Sequence, residues 1–183
     1  MEYSEVELII KKGLESMPAI INIVTAILNK KTVDVQQRRD VKQKNIELLK
    51  KFSNEISINL DLINQLDFED KHFKHSKTTK EIILALNTEY IEKLYFNLKD
   101  YKKEIRKMNA QARKAANNKD TKYEFDFVNE LKYLYEGIQK IQKIYSIDIE
   151  NSKKVKPKAR LKHIKAVLEI FNELISECIT RIN

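Results

Sequence analysis

This sequence predicts an all-α protein, an elongated antiparallel bundle of about five helices with coiled-coil-like heptad seams. Three observations carry that expectation. The 183 residues include only two glycines and two prolines. Turn-rich β architectures need far more, because hairpins use glycine at positive φ and proline at fixed φ. Apolar residues recur at spacings of three and four along most of the chain, which is the period of a helix face. Three segments open on the pattern Ser/Thr-x-x-Glu. In this capping box the hydroxyl accepts from an unpaired amide of the first turn while the glutamate reaches back to the cap.

The first expected helix covers about 5–30 and starts at the box Ser4 and Glu7, with a weak point near Gly13 to Pro18. The second covers about 35–66, with Leu49, Phe52, Ile56, Leu60 and Ile63 on one face. A polar connection follows from Asp67 to Lys77. The third helix is expected to open on Thr78 and Glu81 and to run unbroken to about 116, near 60 Å in length. Its seam reads Leu84, Asn87, Ile91, Leu94, Leu98, Tyr101, Ile105, Met108 and Ala112. That alternation of three and four is a heptad a/d pattern.

Asn87 is the polar member of that seam. Such a residue either fixes register and oligomeric state from inside the core, or faces water if the phase of the helix is slightly different. Asn117 to Asp120 ends the third helix, and Thr121 with Glu124 caps the fourth. The fourth seam is Phe127, Leu131, Leu134, Ile138, Ile141 and Tyr145. A loop from Ser146 to Lys156 leads to Pro157. Proline fits the first turn of the fifth helix, where a missing N–H costs nothing. The fifth seam is Leu161, Ile164, Leu168, Phe171, Ile175, Cys178 and Ile182. Residues 1–183 are expected to form a single domain, a size at which roughly 70% of the unfolded surface can be buried.

Composition narrows the function classes. One cysteine excludes an intrachain disulfide, and Cys178 on an apolar seam reads as a buried small hydrophobe. No apolar run reaches the roughly 18 residues of a membrane span. The acidic start, Met1 to Glu5, lacks the basic n-region of a signal peptide. A cytoplasmic location is therefore expected. The two glycines are isolated, so no phosphate-cradling loop can form. The connection from Asp67 to His75 gathers two of the three histidines and three carboxylates. Its Glu69-x-x-His72 has the i,i+3 spacing of di-iron carboxylate bundles, but those need the motif on two helices. At the remaining histidine, His163, the matching position holds Arg160. The expectation is a solvated polar loop, with no metal, no cofactor and no catalytic site.

Two features remain. The net charge of +8 is concentrated. Between Lys99 and Lys122 nine basic residues face three acidic ones, and between Lys153 and Lys165 seven basic residues meet none. Lys99, Lys102, Lys103, Arg106, Lys107, Arg113 and Lys114 fall within an arc of roughly 140° on a helical wheel. If the third and fifth helices pack parallel, Lys158, Arg160, Lys162 and Lys165 lie beside that arc, and the two groups join into one positive stripe. A stripe of this kind suits an acidic protein surface or a nucleic-acid backbone. The second feature is the apolar segment Met17 to Leu28, flanked by Lys11, Lys12, Lys30 and Lys31. It reads as a central core helix; a membrane-perturbing element is the competing reading, and self-association through the seams is a third. The leading expectation is a non-enzymatic binding protein that uses the basic stripe against an acidic macromolecule.

Overall fold

The computed structural model describes residues 35–99, 103, 107, 126–147 and 156–182. Among them are five helices and no strand: α1 (Val35–Asn64), α2 (Lys77–Ala85), α3 (Glu89–Leu98), α4 (Phe127–Ile147) and α5 (Pro157–Ile182). The segment Met17 to Leu28 and the boxes at Ser4 and Thr121 lie outside the described residues. So do Tyr101, Ile105, Met108, Ala112 and the side chains of Cys178 and Ile182. No helix among the described residues is long and apolar enough to cross a membrane.

The fold is an all-α bundle, and the spacing of apolar residues explains its core. Leu49, Phe52, Ile56 and Ile63 of α1 are sealed from solvent, while Leu60 packs at the edge. All six expected seam residues of α4 are buried, as are Leu161, Ile164, Leu168, Phe171 and Ile175 of α5. Each such side chain contributes about 1.5–3 kcal/mol of transfer free energy. Phe171 ties three helices together. Its ring meets Phe52 edge-on at 6.0 Å and Phe127 edge-on at 5.0 Å.

Neighbouring helices run antiparallel. Phe171 sits level with Phe52, and Lys162 sits level with Phe68 just beyond the end of α1. Along α4 and α5, His163 meets Tyr133 while Phe171 meets Phe127. Along α3 and α4, Tyr95 meets Tyr135. α1 and α4 each pack against both the α2–α3 strand of the bundle and α5. The α2–α3 segment and α5 thus occupy opposite corners of the bundle.

The third helix departs from its expected form. It is interrupted at Leu86 to Thr88, where Leu86 adopts extended backbone angles of φ −60° and ψ 137°. The interruption resets the helical phase. Ile82, Ile83 and Leu86 are buried, whereas the expected seam residues Leu84 and Asn87 are exposed. Only from Ile91 onward does the expected seam hold, through Leu94 and Leu98. The start also moves. Ser76, not Thr78, caps α2, its hydroxyl accepting from the Thr79 amide at 3.4 Å. The preceding turn ends where Ser76 N–H donates to His72, and the Ser76 carbonyl then accepts the first helical bond, from Lys80. α4 begins at Phe127, with the Asp126 carboxylate accepting from the Asn129 amide at 3.1 Å. Pro157 is the first residue of α5, as expected.

Candidate functional site

Among the described residues, a cluster of aromatic rings with one exposed member, Phe96, lies where α3 meets α4. Tyr95 and Phe96 are successive residues of α3, and Tyr135 faces them from α4. The ring of Tyr95 stacks on that of Tyr135 at 6.4 Å with 21° between planes. Phe96 completes a triangle, 5.3 Å from Tyr95 and 6.3 Å from Tyr135. Two of these rings are half-buried, but Phe96 is 46% exposed. The Tyr135 hydroxyl donates to the Glu92 carboxylate, and that bond, more than burial, raises its pKa above the ordinary phenolic value. The bond ties the Tyr135 ring of α4 to α3.

A cation stands over this surface. The Lys99 ammonium lies 4.6 Å from the centre of the Phe96 ring, within cation–π distance. Lys99 itself is exposed, as are Lys103 and Lys107, both of which are helical. The remaining expected members of this group, Lys102, Arg106, Arg113 and Lys114, lie outside the described residues.

The basic residues of α5 face different surroundings. Lys158 and Lys162 reach the Glu69 carboxylate at 3.8 and 3.6 Å. Lys165 meets Glu169 at 3.9 Å. Arg160 hydrogen-bonds the Tyr133 hydroxyl. α3 and α5 do run parallel, and residues 158–165 do lie roughly level with α3. Among the described residues, α3 and α5 each pack against α1 and α4.

The connection after α1 turns its acids toward the chain itself. The Asp67 carboxylate accepts from the Glu69 amide and the Asp70 carboxylate from the His72 amide, each at 2.8 Å. His72 and His75 are exposed. Among the described residues no three His, Cys, Asp or Glu side chains group closely enough to hold a metal ion.

Two buried polar clusters were not evident in the sequence. In the first, His163 of α5 lies 3.6 Å from Glu130 of α4, with its ring 4.3 Å from that of Tyr133. Both side chains are nearly closed to solvent, which makes the cluster a contact between helices. Burial raises the Tyr133 pKa, with the nearby Arg160 pulling it back. The second cluster surrounds the interruption of the third helix. The Asn59 side chain, fully buried on α1, donates to the Asn87 carbonyl at 2.7 Å and accepts from the Asn87 amide at 2.9 Å. One turn earlier, the Glu55 carboxylate accepts from the amides of Tyr90 and Ile91 at the start of α3. From α4, the Gln142 amide donates to the carbonyls of Ile83 and Leu86 at 3.2 and 2.7 Å. The sequence signal for this cluster is Glu55 and Asn59 themselves, polar residues spaced into the apolar face of Phe52, Ile56 and Ile63. Compared with family models, curated proteins and solved structures, the chain finds no match.

Proposed function

We propose that this protein is a non-enzymatic binding module that holds an acidic macromolecule against the end of α3 and the lysines that follow it. One observation supports this most directly. Phe96 and the exposed Lys99, Lys103 and Lys107 follow one another at spacings of three, four and four. α3 ends at Leu98 and Lys99 caps it; an unbroken α-helix with that spacing would put all four within about 80° of one another. The lysines then recur about once per turn, roughly 6 Å apart along the axis. A row of cations at that interval suits a polymer with a regular run of anionic groups. The α5 lysines are the weaker part of the reading, since Lys158 and Lys162 already share a carboxylate.

The test is charge reversal. Binding of labelled anionic polymers (oligo-dT and polyglutamate) is followed by fluorescence anisotropy for the wild type and for Lys99→Glu/Lys103→Glu/Lys107→Glu. The triple variant is expected to bind at least about tenfold more weakly, with an unchanged melting temperature, because exposed lysines contribute little to stability. If nucleic acid is the ligand, three neutralised phosphates predict a log–log salt slope near −2. Unchanged affinity in the folded triple variant removes the flank from the function.

A further inference from the structure

Resting on that reading, we infer that the Tyr95–Phe96–Tyr135 cluster is a stacking platform for unpaired bases, and that the acidic ligand is single-stranded nucleic acid. An acidic protein surface needs cations alone. The α3 flank offers something more, an exposed aromatic ring set at one end of the lysine row. Of the large hydrophobic side chains exposed on the described surface, Ile58, Leu84, Phe96 and Ile147, Phe96 is the one beside a cation in a cluster of rings. Its position is braced from beneath. Tyr95 and Tyr135 stack on each other, and the Tyr135 hydroxyl is held by Glu92.

The geometry matches what an unpaired strand presents. Every base has a π-face, and stacking on an aromatic side chain is tolerant of sequence while requiring that the base be out of a duplex. The phosphates that accompany the stacked base carry the negative charge. Lys99 now rests over the Phe96 ring at 4.6 Å. A base settling on that ring displaces the ammonium, which lies next to where the following phosphate would sit. Lys103 and Lys107, both helical and exposed, follow four and eight residues further along the chain. Rings and cations thus alternate in function along one flank: the ring takes the base and the lysines take the backbone. The predominance of lysine over arginine in this group agrees with backbone contact rather than base-edge readout, which favours bidentate arginine.

The experiment separates stacking from charge. Anisotropy titrations use oligo-dT, an abasic single strand of the same length, the corresponding duplex, and polyglutamate. They are run with wild type, Phe96→Ala, Phe96→Trp and the lysine triple variant. Phe96→Ala is expected to weaken oligo-dT binding about tenfold and to leave abasic-strand binding within about twofold. Phe96→Trp restores oligo-dT affinity, and wild type prefers oligo-dT to both duplex and abasic strand. The triple variant weakens oligo-dT and abasic strand alike. Equal wild-type affinity for oligo-dT and abasic strand overturns the stacking platform, as does an unaffected Phe96→Ala variant. Preference for duplex or for polyglutamate also overturns it, while leaving the basic flank intact. If the triple variant binds every polymer as the wild type does, the flank itself falls, and with it the underlying reading.

Discussion

Glu55 shows how much a single buried side chain can organise. It sits on the apolar face of α1, 3% exposed, and its carboxylate takes the place of an N-cap for α3 by accepting from the Tyr90 and Ile91 amides. Burial raises its pKa above the ordinary carboxylate value; the amide bonds pull it back, and nearby Glu89 pushes it up again. The sign follows from linkage. A carboxyl whose folded pKa lies above its unfolded value binds more protons when folded, so stability falls as pH rises from about 4.5 through the folded value. Glu55→Gln lacks this contribution. It should lose less stability than the wild type between pH 4.5 and pH 7, measured by urea denaturation at both pH values. Parallel losses in the two proteins would show that burial does not govern Glu55. Glu55→Ala, which strands two amides, should cost about 2 kcal/mol at pH 4.5 and less at pH 7.

At the scale of elements, the interruption between α2 and α3 needs no glycine or proline because its open backbone groups are met by other helices. Asn59, Glu55 and Gln142 supply the bonds that the break removes. An unmet buried peptide group costs about 1–3 kcal/mol, so these side chains make the break tolerable where it stands. α4 offers a contrast. Gly137 lies inside this helix, where glycine is about 1 kcal/mol less favourable than alanine. A Cβ there would meet Ile164 at 3.7 Å and Tyr133 at 3.8 Å, both ordinary contact distances. Gly137→Ala should therefore raise the melting temperature by roughly 2–4 °C. A lower melting temperature in thermal denaturation would mean that α4 and α5 cannot yield even that much space.

Across the whole molecule, adjacency decides which charges act together. α3 and α5 point the same way, yet each packs against α1 and α4 instead of against the other. Exposed charges act on one another strongly only within a Debye length, about 8 Å at physiological salt, and Lys158 and Lys162 are already engaged by Glu69. Lys158→Glu/Lys162→Glu should therefore leave oligo-dT affinity within about twofold at 0.15 M salt, in contrast to reversal on the α3 flank. A loss equal to that of the Lys99/Lys103/Lys107 variant would show one ligand spanning both corners. The same variant should unfold at nearly the wild-type temperature, because the bonds it removes, to Glu69, are exposed.

The periodicity of Phe127 to Tyr145 and of Leu161 to Ile175 was enough to define α4 and α5, because burial of a helix face writes itself into spacings of three and four. Pro157 likewise marked its own helix start, since its restriction is local. The break at Leu86 to Thr88 was hidden for the opposite reason. Leu84, Asn87 and Ile91 keep helical spacing by chance, and the bonds that stabilise the interruption come from residues 28 to 59 positions away. The proposed binding flank divides in the same way. Its lysines were readable as a charge cluster along the chain. The assembly of Tyr95 and Phe96 with Tyr135, and the approach of Lys158 and Lys162 to Glu69, depend on how helices pack, which no single stretch of sequence encodes.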